Sequence, residues 1–118
     1  MGSKYFDKTE FKCCCGNCYD KMDSDLLSSL DAARGIANTP FNLNSSWRCE
    51  KNNKEAGGKI NSAHLRGTAV DIRCTTSHAR LLILDSLLAS GFTRIGVAKT
   101  FIHADIDMEL PQEVLWLY

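Results

Sequence analysis

Two short segments constrain this chain more than anything else in it, because each places a histidine and an aspartate among small residues. The first is Ser62-Ala63-His64-Leu65-Arg66-Gly67-Thr68-Ala69-Val70-Asp71-Ile72, and the second is Phe101-Ile102-His103-Ala104-Asp105. His64 and Asp71 are seven positions apart, an odd spacing that sends side chains of a continuous strand to opposite faces. Gly67 removes the obstacle, since glycine permits a turn that folds both side chains onto one site. In the second segment residues 101, 103 and 105 share a strand face, so His103 and Asp105 look the same way. Two imidazoles and a carboxylate suit zinc, at about 2.0–2.2 Å per ligand. Three protein ligands leave a fourth position for water, whose pKa zinc lowers to about 7.

The elements around these segments predict an α+β domain. Leu26, Leu27, Leu30, Ala33 and Ala37 recur at helical spacing, so a helix is expected from about Asp25 to Ala37, with Ser24 as its cap and an end before Pro40. Phe41, Leu43 and Trp47 suggest a short strand, and residues 50–61 a polar surface loop. A strand is expected over 68–73. A second helix, capped by Ser77 and closed by Gly91, carries Leu81, Leu82, Leu84, Leu87 and Leu88. Strands at 94–98 and 101–106, with a further one at 114–118, complete a small, mainly antiparallel sheet flanked by two or three helices.

At 118 residues the chain is the length of one domain, taken here as 1–118, with residues 1–20 an irregular Cys-rich arm. Fourteen basic residues balance fourteen acidic ones, and no basic stripe points to nucleic acid. The N-terminal residues lack the apolar run of a signal peptide, and the longest such run, Leu81 to Leu84, is too short to span a bilayer. The expectation is a monomer made in the cytoplasm, with no membrane insertion, that reaches any outside target by release or as a virion component. Cys13, Cys15 and Cys18, spaced C-x-C-x-x-C, are able to hold a structural metal completed by Cys14, Cys49 or Cys74, to form disulfides, or to stay reduced. His78, at a helix start, is expected to be solvated.

Asn44-Ser45-Ser46-Trp47-Arg48-Cys49, Asn53, Gly57-Gly58 and the two His/Asp segments occur in this order. Together they resemble the zinc D-alanyl-D-alanine carboxypeptidases and their phage-encoded endopeptidase relatives, which share a fold with the hedgehog signalling domain. The S-x-H-x-x-G-x-A-x-D pattern is specific, and the resemblance covers almost the whole chain. It implies that His64, Asp71 and His103 hold one catalytic zinc ion, that Arg48 stabilises an oxyanion and contacts substrate, and that Ser62 hydrogen-bonds substrate. It implies a peptidase acting on peptidoglycan stem peptides, as a D-alanyl carboxypeptidase or an endopeptidase of the phage lytic type. The alternative is a zinc-binding module that recognises such peptides without cleaving them.

The chain departs from the better-known members at one position. Where they carry Glu or Asp three residues before the last histidine, this chain has Thr100. Asp105, about 7 Å along the strand from His103, is either the substitute general base or a partner that orients His103. Asp107 is expected to be a solvated strand end. Trp47, Trp116 and Tyr118 are expected to pack in the core or wall the cleft.

Overall fold

In the computed structural model, residues 5–7, 10–11, 19–49, 53–54 and 62–118 are described. Helix α1 spans Ser24–Ala37. Its cap is Asp23, one residue earlier than the expected Ser24, because the Asp23 carboxylate accepts from the backbone N–H groups of Asp25 and Leu26. The helix ends at Asn38, which takes the left-handed conformation at φ 51°. Strand β1 covers Leu43–Ser45 and β2 covers Ala69–Arg73. Helix α2 runs Ser77–Ala89, capped by Thr76 rather than Ser77, whose hydroxyl accepts from Ala79 N–H. Strands β3 (Arg94–Val97), β4 (Phe101–Asp105) and β5 (Val114–Leu117) follow.

The five strands form one sheet in the order β1-β2-β4-β3-β5. Every pairing is antiparallel except β3 with β5, which is parallel. The fold is thus α+β with a mostly antiparallel sheet and two α-helices, as the sequence pattern predicts. The peripheral parallel pair was not expected. It arises because the chain between β4 and β5 carries β5 to the far side of β3 instead of reversing directly.

Alternation along the strands sorts the residues onto two faces. Val70, Ile72 and Cys74, Ile95, and Ile102 and Ala104 join one buried cluster with Leu26, Leu30 and Ala33 of α1 and Ile83 and Leu87 of α2. Their neighbours in sequence (Asp71, Arg94, Gly96, His103 and Asp105) therefore point to the other face. Burying a Leu, Ile or Val side chain stabilises by about 1.5–3 kcal/mol, so this apolar set fixes which face carries the chemistry. A one-residue slip of any strand would exchange the two sets.

The N-terminal arm contributes to this core. Phe6 and Phe11 are buried, 6.0 Å apart edge-to-face, and Phe6 lies 6.4 Å from Phe41. The cysteine cluster at 13–18 falls outside the described residues, as does most of the expected loop at 50–61. Cys74 is a free thiol buried in the core, packed on the helix face of the sheet, so it is not available to complete a metal site there. Among the described residues no helix is long and apolar enough to cross a membrane.

Candidate metal centre

His64 reaches the sheet through a 3₁₀ turn, Ala63–Arg66. Ser62 caps this turn, its hydroxyl accepting from His64 N–H at 3.2 Å. Gly67 closes it at φ 71°, and a Cβ there would stand 2.0 Å from the Lys21 carbonyl oxygen. No other residue fits so close to that backbone, which then bonds onward from Asp23 N–H to the Gly67 carbonyl. The turn is also stitched to the segment after β1, where Arg48 N–H donates to the His64 carbonyl and the Trp47 indole N–H donates to the Leu65 carbonyl. The odd His64/Asp71 spacing is resolved by this turn, as Gly67 had suggested.

Asp71 and His103 are direct cross-strand partners on β2 and β4. The three side chains converge: one ligand atom from each of His64, Asp71 and His103 lies within 4.8 Å of the others, and all three residues are buried. Asp71 Oδ1 is 3.3 Å from His64 Nε2 and 2.9 Å from His103 Nδ1. The opposite ring nitrogens are held elsewhere. His64 Nδ1 faces the Ser46 carbonyl at 2.7 Å, which can only accept, so that nitrogen carries the proton and Nε2 is left as a donor pair for a metal. His103 Nε2 faces Asp105 Oδ2 at 2.6 Å. A carboxylate or carbonyl behind each ligating imidazole is the arrangement metal-binding histidines use to fix tautomer and orientation. The donor set therefore fits a divalent, nitrogen- and oxygen-binding ion such as zinc.

Electrostatics match this geometry. Burial pushes the Asp71 carboxyl up, but hydrogen bonds from His103 and His64 outweigh it and hold the group well below the usual carboxylate range. Burial pushes His103 down, yet its bonds to Asp105 and Asp71 raise it overall. Arg48 lies on the far side of Asp71: its Nη2 is 3.3 Å from Asp71 Oδ2, its Nε donates to Ser45 Oγ at 2.9 Å, and its Nη1 donates to Asn53 Oδ1 at 3.3 Å. It is thus held by three oxygens beside the triad.

Asp105 is placed behind His103 rather than beside Asp71. It is fully buried, its Oδ2 meets His103 Nε2, and its Oδ1 accepts Asp107 N–H at 3.1 Å and pairs with Arg94 Nε at 2.9 Å. The imidazole ring stands between this carboxylate and the nitrogen that faces Asp71. Thr100 lies exposed in the β3–β4 turn. Asp107, expected to be solvated, is instead buried: its Oδ2 accepts from Arg66 and from Thr68 Oγ1, and its Oδ1 accepts Glu109 N–H. The chain past the end of β4 stays beside the His64 turn, Ile106 N–H donating to the Thr68 carbonyl at 3.1 Å, and Arg66 reaches over from that turn, which a strand pattern alone does not show. His78 is exposed, as expected.

The Arg66–Asp107 clip gives a stability prediction. Burial raises the Asp107 carboxyl, but its bonds from Arg66 and Thr68 lower it overall. A carboxylate lowered in the folded state contributes stability that is present above its unfolded pKa, about 3.9, and is lost as pH falls through the folded value. Asp107→Asn is expected to lower unfolding free energy at pH 7 by about 1.5–3 kcal/mol. The deficit should shrink below about pH 4, as measured by urea unfolding at a series of pH values.

The far side of His103 is aromatic, with Trp116 and Tyr118, expected to pack in the core or wall the cleft, lying along it. The Trp116 ring is 5.5 Å from the His103 ring, Tyr118 is 5.0 Å from Phe101, and the Arg94 guanidinium sits 5.1 Å over Trp116. Desolvation raises the Tyr118 phenol, and the Asp71 and Asp105 charges add to this, against lowering by the Trp116 side chain and Arg48. Gly96, opposite both His103 and Trp116, is the sequence feature that marks this aromatic wall.

The peptidase M15 family model matches residues 4–105, which includes every residue of the triad. The chain belongs to the peptidase M15 family. M15 members are zinc D-Ala-D-Ala carboxypeptidases and related peptidases, so the resemblance drawn from the motifs stands. They use zinc, and the buried His64–Asp71–His103 group of this M15 chain is able to hold it. No curated protein matches the chain.

Proposed function

We propose that this M15 chain is a zinc metallopeptidase that hydrolyses stem peptides of bacterial peptidoglycan, in the manner of a phage lytic enzyme acting after release or as a virion component. The observation that carries the reading is the convergence of His64, Asp71 and His103 with Arg48 fixed alongside, within a family of peptidases. When bound, zinc supplies a Lewis acid for the scissile carbonyl and acidifies water. His64 Nε2, Asp71 Oδ1 and His103 Nδ1 would hold it.

The remaining steps belong to the protein. Ser46 and Asp105 hold the two imidazoles in the tautomers that leave those nitrogens free. Arg48 donates to the substrate oxyanion from the Asp71 side, pre-oriented by Ser45 and Asn53. Ser62, whose hydroxyl accepts from His64 N–H, keeps its own O–H free to donate to a substrate carboxylate or carbonyl. Asp105 acts as the partner that orients His103, not as the base, because the ring lies between it and the reacting side. One chain is sufficient for this site, and the protein acts as a monomer.

A digest of muropeptides followed by mass spectrometry, with and without chelator, tests the reading: zinc-dependent loss of a D-alanyl residue or an internal cut is the expected result. The same assay separates the two roles of Asp105. Asp105→Asn is expected to weaken zinc by about 10–100-fold while keeping turnover at saturating zinc. Loss of turnover at full zinc occupancy would make Asp105 the base.

The second reading, a module that binds cell-wall peptides through zinc without cleaving them, is favoured by Thr100 in the exposed turn and by the engaged position of Asp105. It predicts muropeptide binding with no product under any zinc concentration.

A further inference from the structure

We infer that Tyr118 is a catalytic residue of this site: its phenol O–H donates a hydrogen bond to the bound peptide next to the scissile bond, from the side of His103 opposite Arg48. The inference rests on the peptidase reading and adds to it a donor that no motif contains.

The placement follows from the register of the sheet. Ser45, Asp71, His103, Gly96 and Trp116 are successive cross-strand partners, one from each of the five strands in spatial order. They form a single row across the face that carries the triad. Arg48 is bonded to the first two members of this row. At the fourth, Gly96 has no side chain, and a notch is left immediately beside His103. The rings of β5 and the residue after it lean into that notch. A Cβ on Gly96 would stand 2.5 Å from Trp116 Nε1 and 2.7 Å from Tyr118 Cε2. Such separations are far inside van der Waals contact, so only glycine allows both rings to lie there.

The atom of Tyr118 nearest the notch decides what the ring presents. Cε2 is bonded to the carbon that bears the hydroxyl, so the polar end of the ring, not its Cβ end, lies over Gly96. Phe101, on the His103 face two residues earlier, packs against the ring at 5.0 Å, and Trp116 lies 6.3 Å away edge-on. Tyr118 N–H is held by the Val97 carbonyl at 3.1 Å, which anchors the residue's backbone to β3. The phenol is thus positioned by two rings and a backbone bond, yet most of the side chain is open to solvent and free to meet a ligand.

The chemistry suits a hydrogen-bond donor to substrate, not a base. A phenol is a neutral donor that keeps its proton at physiological pH. It needs no counter-charge in a face that already holds Asp71, Asp105, Arg48 and Arg94. A peptide lying along the row would meet Arg48 on one side of the metal centre and Tyr118 on the other. Its carbonyl oxygen and the group across the scissile bond would then each face a donor. Side-chain donors of this kind act by stabilising charge that develops in the transition state.

The test compares wild type, Tyr118→Phe and Gly96→Ala, each loaded with zinc, on three readouts: zinc affinity by chelator competition, kcat and KM on purified muropeptide, and calorimetric binding of a phosphinate analogue of alanyl-alanine. Tyr118→Phe keeps the ring and removes only the hydroxyl. It is expected to leave zinc affinity unchanged, to lower kcat about tenfold or more, and to weaken the phosphinate by a similar factor. Gly96→Ala, which displaces both rings, should reproduce the loss with zinc retained. Wild-type kcat and phosphinate affinity in Tyr118→Phe would overturn the assignment. If the wild type itself cleaves nothing, the peptidase reading fails, and the phosphinate arm still decides Tyr118: equal affinity in wild type and Tyr118→Phe, or no binding by either, overturns it.

Discussion

Replacing Asp71 with alanine is expected to abolish stoichiometric zinc binding and, with it, all peptidase turnover. Asp71 Oδ1 is the atom toward which both His64 Nε2 and His103 Nδ1 point, at 3.3 and 2.9 Å. Removing the carboxylate takes away one of three ligand groups and the anion that gathers the other two. Partners standing behind a ligand are worth about 10–100-fold in metal affinity, and loss of a ligand exceeds that. The effect has a second part. Burial lowers His103, but its bonds to Asp105 and Asp71 raise it overall, so in wild type a proton competes with metal for this imidazole to higher pH than for an ordinary histidine. Zinc affinity should therefore climb with pH, by up to about tenfold per unit, until His103 has lost its proton. Chelator competition between pH 5.5 and 8 measures both parts. Asp71→Asn, which preserves shape, guards against misfolding as the cause, and tight zinc binding by either variant would remove Asp71 from the ligand set.

Replacing Arg48 with alanine is expected to lower kcat by about 10²–10³-fold with zinc still bound. The guanidinium is oriented by Ser45, Asn53 and Asp71 at once, and none of these is a substrate group. An arginine fixed by three oxygens beside a metal centre is preorganised, so its stabilisation of a developing oxyanion costs little rearrangement. Arg48→Lys should not restore activity, because a single ammonium cannot span three partners that a planar fork reaches together. Steady-state kinetics on a muropeptide, with zinc content measured in the same samples, checks this. Unchanged kcat in Arg48→Ala would assign the residue to holding Asp71 alone.

Much of the site is legible in the sequence itself. The pairs His64/Asp71 and His103/Asp105 stood out by residue type, and Gly67 by its place between the first two. Element types were legible for a physical reason as well: apolar residues at helical spacing in α1 and alternation in β2 and β4 reflect which side chains the core must bury. Caps slipped by one residue, since Asp23 and Thr76 offer the same hydrogen bond as the serines beside them. Asp107 is buried and not solvated because it is capped by Arg66, forty-one positions away, a partner that no local pattern reveals.

What the sequence alone determined, then, is the chemistry available: two imidazoles, a carboxylate, an arginine and the glycine that lets the first histidine turn back. These depend on residue identity and short spacing, which a chain carries locally. What only the tertiary structure decided is the arrangement of these groups. Strand order and register put Ser45, Asp71, His103 and the Gly96 notch in one row with Arg48 bonded to its first two members, turned Asp105 behind its histidine, and brought Tyr118 over the notch from the end of a parallel edge strand. Register is a property of paired strands distant in sequence, selected by burying one apolar face against two helices, and no local pattern contains it.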